Sequence, residues 1–257
     1  MNELHYKNAI VTGGSDGIGL AIAEIFAKNG ANVILIARSE EKLKSVQQKL
    51  AVYGTAIHAI SFDLSKSSEI NTLATKILSI FPNIDILVNN AGIGRFVNFE
   101  GMDEQTLDIH LDLNVKATYL LTHYLFASLK ESKGNILNIS SYFSHRMLAG
   151  RATTAYSMSK GAIDSFTKSL AFEVGKWGVR VNAIAPGSID TDLLQSNYNK
   201  LSDDGKTQFD HMIKTIYPLE RIGETHDIAE MALFLVSARA KWITGSIMPV
   251  DGGLTTN

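Results

Sequence analysis

The stretch Ala9-Ile10-Val11-Thr12-Gly13-Gly14-Ser15-Asp16-Gly17-Ile18-Gly19, leading into the amphipathic run that ends at Lys28, decides the fold. A short apolar strand enters a glycine-rich turn, and the turn opens a helix. Unpaired backbone N–H groups and the positive end of the helix dipole meet there, which makes an anion site suited to a phosphate. Gly17 and Gly19 have no side chain to hold a pyrophosphate off the backbone. The spacing is G-x3-G-x-G rather than the usual G-x-G-x-x-G, because Ile22 stands where the third glycine would fall. The same residues satisfy G-x-S-x-G, with Ser15 as a hydrolase nucleophile. That alternative has no earlier strand or loop to supply an oxyanion hole, and neither His211 nor His226 stands at a clear strand end.

Outward from this turn, strand-like and helical stretches alternate to the end of the chain. Strands are expected at Ala9–Thr12, Asn32–Ala37, Ala56–Phe62, Ile84–Val88, Asn135–Ile139, Val179–Ile184 and Ile247–Val250. Most are continuously apolar, as in strands covered on both faces. Helical stripes lie between them, as at Glu40–Val52 and in Ala162, Ile163, Phe166, Leu170 and Val174. The alternation predicts an α/β, Rossmann-like doubly wound parallel sheet of about seven strands with helices on both faces. One dinucleotide-binding and catalytic domain is expected over residues 1–257. Only residues 193–220 break the rhythm, and they are read as a substrate lid beyond the carboxyl ends of the strands.

Composition narrows the function. With 45% hydrophobic and 19% charged residues the chain can bury a core and is not of disordered type. A net charge of −2 gives no basic excess for nucleic acid. The absence of cysteine excludes disulfides and thiolate ligands or nucleophiles, and no metal site is expected. Apolar runs such as Val33–Ala37 and Met231–Val236 fall far short of the ~20 residues that span a bilayer. Met1–Lys7 contains no signal-peptide core, so a cytoplasmic protein without a membrane partner is expected.

Further motifs follow in order: Asp85-Ile86-Leu87-Val88-Asn89-Asn90-Ala91-Gly92, Leu113-Asn114-Val115, Ser140-Ser141, Tyr156-Ser157-Met158-Ser159-Lys160, Val181-Asn182-Ala183-Ile184-Ala185-Pro186-Gly187 and Val250-Asp251-Gly252-Gly253. With 8 tyrosines and 17 lysines, Tyr-x-x-x-Lys arises by chance roughly 0.5 times, so it carries weight only with its companions. Together, in this order and spacing, they resemble the short-chain dehydrogenase/reductase family over essentially the whole chain.

Tyr156 and Lys160 are four residues apart and share a helix face, where an ammonium is expected to lower the phenol's pKa. Tyr156 would then give a proton to a carbonyl oxygen in reduction or remove one in oxidation. The resemblance adds that Lys160 bonds the nicotinamide ribose, that Ser141 positions the carbonyl oxygen, and that Asn114 joins a water and Lys160 in a proton relay. In the family the serine usually precedes the tyrosine by 13 residues, where Phe143 stands here; Ser141 precedes it by 15, implying a two-residue insertion within Tyr142–Ala155, with Ser144 as the weaker candidate.

The resemblance also implies cofactor contacts from Gly13, Ser15, Asp16, Gly17, Ile18 and Gly19 in the turn, from Arg38 and Ser39 after the second strand, and from Asp63 and Leu64 at the adenine. Asn90, Ala91, Gly92, Pro186, Gly187, Ile189 and Thr191 complete the set. No carboxylate ends the second strand, and Arg38 can pair with a 2′-phosphate, so NADP(H) is favoured with NAD(H) as the alternative. Asp16 opposes this preference by placing a carboxylate near the phosphates.

The nearest likenesses within the family are to 3-oxoacyl-thioester reductases and to polyol or gluconate-type dehydrogenases, and a nucleotide sensor without catalysis is the alternative of another class. Ser132-Lys133 and Lys176-Trp177 are slender material for docking an acidic carrier protein. Arg95, Arg146 and Arg151 are candidates for a carboxylate, and Phe96, Tyr142, Phe143 and Tyr198 for an aromatic mouth. The helix Asp227–Ser237 is apolar on nearly every face, which calls for burial on more than one side; the resemblance implies a homotetramer, with a homodimer as the smaller assembly.

Overall fold

The strands run in the order β1 (Asn8–Thr12), β2 (Asn32–Ala37), β3 (Ile57–Ser61), β4 (Ile86–Asn89), β5 (Asn135–Ile139), β6 (Arg180–Pro186), β7 (Ile189–Asp190), β8 (Gly223–Glu224) and β9 (Ile247–Val250). This is a computed structural model, and it describes residues 2–199 and 201–256. Lys200, inside the expected lid, and the end residues of the expected domain, Met1 and Asn257, lie outside the described residues, as do the side chains of Leu193 and Asn197. Seven strands form one parallel sheet in the order β3-β2-β1-β4-β5-β6-β9. All seven expected strands are present, three with the expected bounds and four with ends shifted by one or two residues.

The helices are α1 (Gly17–Lys28), α2 (Glu40–Leu50), α3 (Ile70–Ile80), α4 (Glu104–His110), α5 (Ala117–Glu131), α6 (Thr154–Val174), α7 (Asp192–Asn199), α8 (Asp203–Ile216) and α9 (Thr225–Val236). Successive residues of a strand point to opposite faces. Val11, Val33, Leu35 and Val88 accordingly pack with α1, α2 and α9, while Ile10, Ile34, Ile36 and Leu87 pack with α3, α5 and α6. Both faces are dry, and this is why the strands read as continuous apolar runs.

The order reverses between β1 and β4, which run parallel and whose following segments turn to opposite sides, toward β2 and toward β5. A crevice opens at such a switch point beyond the carboxyl ends of the strands. Thr12 and Asn90 shape it. The Thr12 hydroxyl donates to the Val88 carbonyl (3.1 Å) and accepts from the N–H groups of Asn90 (2.9 Å) and Ala91 (3.0 Å), while Asn90 Nδ2 donates to the carbonyl of Thr12 (2.9 Å).

Residues 193–220 form α7 and α8 rather than a second sheet. β7 and β8 pair in parallel, Ile189 opposite Gly223 and Asp190 opposite Glu224, so both ends of the segment are fastened together. α8 turns Phe209, Met212, Ile213 and Ile216 toward Tyr142, Phe143 and Tyr217. The breadth of apolar surface on α9 also has an internal explanation. Ile228, Ala229, Ala232, Leu233, Leu235 and Val236 are buried within this one chain, where α9 meets α1, β5, β6 and β9, so this helix does not require a partner subunit.

Candidate active site

The carboxyl ends of β1, β4, β5 and β6 converge on a cavity of about 480 Å³. At the glycine turn, Gly13 (φ 65°) and Gly17 (φ 50°) adopt left-handed backbone that favours glycine. A Cβ at Gly19 would strike the carbonyl of Gly13, so that glycine allows α1 to pack against its own turn. Asp16 occupies the N-cap position of α1, yet its side chain makes no capping bond. Its Oδ2 instead meets Lys42 Nζ at 2.6 Å. The first-turn N–H groups of α1 therefore face the cavity without a side-chain acceptor, an arrangement that fits an anionic group such as a pyrophosphate.

At the other end stand Ser141, Tyr156 and Lys160. Ser141 follows β5 and caps a short 3-10 turn, Tyr142–Ser144, its Oγ accepting from Phe143 N–H at 3.2 Å. Ser144 does not line the cavity; its hydroxyl bonds to the Ser141 carbonyl (2.8 Å) and lies 2.9 Å from His145 Nδ1. Lys160 is buried, its Nζ donating to the Ile139 carbonyl at 2.7 Å. Burial brings its pKa down to about 8, and Asp164 opposes the change. Tyr156 departs from the expectation that its pKa would be lowered. Burial raises its phenol above the ordinary 10, against the opposing influence of the Ser141 hydroxyl. Lys160 Nζ sits 5.8 Å from the Tyr156 ring centre and does not outweigh that burial.

Asn114 lies in a π turn, Leu111–Lys116, that joins α4 to α5. Its carboxamide is engaged with the protein itself: Oδ1 accepts from Ile93 N–H (2.8 Å), and Nδ2 donates to the Ile93 carbonyl and to Ser159 Oγ (2.9 Å each). A Cβ on Gly92 would meet Asn114 Oδ1 at 3.1 Å and Lys160 Nζ at 3.6 Å, so both groups lie against Gly92.

Other expected cofactor residues divide by position. Gly13, Asp16, Gly17, Ile18, Asn90, Ala91 and Gly92 line the cavity, as do Pro186, Gly187, Ile189 and Thr191. Ser15, Gly19, Arg38, Ser39, Asp63 and Leu64 do not. The exposed Arg38 follows β2, and its carbonyl accepts from Ser61 Oγ at 2.8 Å. Ser39 caps α2 through Lys42 N–H (3.2 Å). Asp63 resists burial and has its pKa lowered by hydrogen bonds from Ser65 and by the charges of Arg38 and Lys66.

Several neighbours escaped sequence reading. His110 is fully buried; its Nε2 accepts from Arg95 N–H (3.1 Å) and its Nδ1 lies 2.7 Å from the Thr106 carbonyl, which puts the ring proton on Nδ1. Asn89 Nδ2 donates to Asn138 Oδ1 (2.9 Å), and Asn138 Nδ2 donates to Thr167 Oγ1 on α6 (2.9 Å). This buried chain ties β4 and β5 to the helix that carries Tyr156. Lone Asn and Thr residues in apolar runs were the available signal.

Phe96, Tyr142 and Phe143 line the mouth as expected, but Tyr198 does not; it meets Phe209, which takes that place, edge to face and donates to Asp210 at 3.1 Å. Of the three candidate arginines only Arg151 lines the cavity. Lys133 and Lys176 precede the starts of β5 and β6, so they stand at the amino edge of the sheet, opposite the cavity. Among the described residues no helix is long and apolar enough to cross a membrane.

Comparison with known proteins agrees with this geometry. Residues 13–255 match the family described as enoyl-(acyl carrier protein) reductase. The chain is 39% identical to the 3-oxoacyl-[acyl-carrier-protein] reductase FabG of Chlamydia muridarum, over 96% of this chain and 97% of that protein. It is 36% identical to oxidoreductase UcpA of Salmonella typhimurium, over 99% and 97% respectively. L-sorbose reductase of Gluconobacter frateurii, solved with NADPH and L-sorbose, superposes with a TM-score of 0.94 at 30% identity, covering 100% of both chains. The chain belongs to the short-chain dehydrogenase/reductase family and is an oxidoreductase acting on CH–OH and carbonyl groups.

Proposed function

We propose that the protein transfers a hydride between NADP(H) and a carbonyl or secondary-alcohol substrate, working as a ketone reductase with Tyr156 as proton donor. One observation carries this reading: Ser141, Tyr156 and Lys160 face one cavity, and the half-buried Tyr156 has its phenol pKa raised by desolvation, so it keeps its proton at neutral pH. Reduced nicotinamide, when bound, supplies the hydride. Ser141 and Tyr156 hold the substrate oxygen by hydrogen bonds, and Tyr156 passes its proton to that oxygen as negative charge develops there. Lys160 replenishes the proton and holds the ribose, while Asn114 keeps Gly92 and Lys160 in place for the relay.

The cofactor residues take three roles in this reading. The turn Gly13, Ser15, Asp16, Gly17, Ile18 and Gly19 holds the pyrophosphate. Arg38 and Ser39, with Asp63 and Leu64, hold the adenosine end. Asn90, Ala91, Gly92, Pro186, Gly187, Ile189 and Thr191 frame the nicotinamide end. NADP(H) is supported by Arg38 and by Lys42, which answers the opposing charge of Asp16. The NADPH bound to the sorbose reductase points the same way.

Residues 193–220 serve as the lid of a one-domain enzyme. Likeness to the sorbose reductase supports a second reading, a polyol or sugar-acid dehydrogenase on the same machinery. Exposed Phe172 and Trp242 (94% and 97%) support a homodimer or homotetramer. Following NADPH oxidation with a panel of 3-oxoacyl thioesters, simple ketones and ketoses tests the reading. Turnover of any of these supports it; NADPH binding without turnover of any ketone would favour a nucleotide sensor.

A further inference from the structure

Resting on the reductase reading, we propose that Arg151 anchors a carboxylate of the substrate, so that the ketone reduced at Tyr156 is an oxo acid. Arg151 lies in the loop between the Tyr142–Ser144 turn and α6, five residues before Tyr156, and lines the same cavity. The charges of that cavity are otherwise committed. Lys160 donates to the Ile139 carbonyl, and Asp16, the only carboxylate among the lining residues, is answered by Lys42. Arg221 and Arg239 have acidic partners at 2.8 and 3.2 Å; Arg151 has none within 4.0 Å among the described residues.

Phe96, Tyr142, Phe143 and Phe209 give that half of the cavity an aromatic wall. The charge of Arg151 reaches into it, since it draws the phenols of Tyr142 and Tyr217 toward ionisation against their burial. Among the described residues, the substrate half thus offers hydroxyls for a ketone oxygen, an apolar wall for a short chain and one open cation. One guanidinium balances one negative charge, and its planar fork matches a carboxylate bidentately. A phosphate monoester, with nearly two charges, would be left half-answered. A neutral ketose would leave the cation without a role.

Levulinate and its longer homologues, each paired with its neutral primary amide, test this with NADPH. The ratio of kcat/KM for acid over amide is expected to exceed one at some chain length. That ratio should fall about 30-fold in Arg151→Met, chiefly through the KM of the acid, and recover in part in Arg151→Lys. An unchanged ratio, or equal loss for acid and amide, overturns the proposal while leaving the reductase reading standing. If no ketone is reduced, titration of the acids onto NADP-loaded protein separates the two ideas. Binding that Arg151→Met abolishes keeps the carboxylate site and removes the reductase reading, whereas binding that is absent or insensitive to the substitution removes the site.

Discussion

Lys42 Nζ stands 2.6 Å from Asp16 Oδ2, so the first turn of α2 lays a cation on the glycine turn of α1. Asp16 alone would repel a phosphate; paired, it holds Lys42 beside the place where one is proposed to bind. Sequence spacing conceals the pair because its members are 26 residues apart on different helices.

Lys42→Met is therefore expected to weaken NADPH binding about tenfold, through loss of the cation and exposure of the Asp16 charge. NADH should be affected less. Fluorescence titration of both nucleotides checks this, and the NADPH effect should shrink at high salt.

Lys160 gives a prediction about stability. The unfolded chain keeps this lysine protonated up to its ordinary pKa of 10.5, the folded chain only up to about 8. Between these values the unfolded state binds more protons, so wild-type stability rises with pH; below about 8 the charged, buried lysine is a constant penalty. Lys160→Met should thus be more stable than wild type at pH 7, by about 1–3 kcal/mol after losing its bond to the Ile139 carbonyl. The advantage should fade as pH climbs through that window, as read by urea unfolding at several pH values.

Catalytic pH dependence follows from the same pair. Ketone reduction needs protonated Tyr156 and Lys160, so kcat/KM for reduction should hold at neutral pH and fall above about 8, where Lys160 loses its proton. Initial rates across pH 6–10 give the profile. Lys160→Arg, whose guanidinium does not titrate in this range, should move the break upward.

Much of the fold was legible because the central strands are buried on both faces and most helices present one apolar stripe, so periodicity reported burial directly. The glycine turn and Tyr156-x-x-x-Lys160 were legible because their chemistry fixes short spacings. What escaped lies across the sheet. Lys42 is one case, His110 beneath the Arg95 loop another, and the two-residue ladder of β7 and β8 is too short to have a period. The direction of the Tyr156 shift is not legible, because a sequence shows that Lys160 is four residues away but not that both groups are desolvated. Tyr198 was misplaced for a related reason: helical spacing in the lid does not say which face turns inward.

The buried chain Asn89–Asn138–Thr167 should hold α6 to the sheet. Asn138→Leu leaves Asn89 and Thr167 without those partners, with an expected loss of about 2–3 kcal/mol in urea unfolding.

The most direct test of the central claim is NADPH-dependent ketone reduction by wild type and Tyr156→Phe, with nucleotide binding followed in parallel. Loss of the hydroxyl should lower kcat by about 10²–10⁴-fold while the protein still binds NADPH. Turnover within a few-fold of wild type would contradict the assignment of Tyr156 as proton donor.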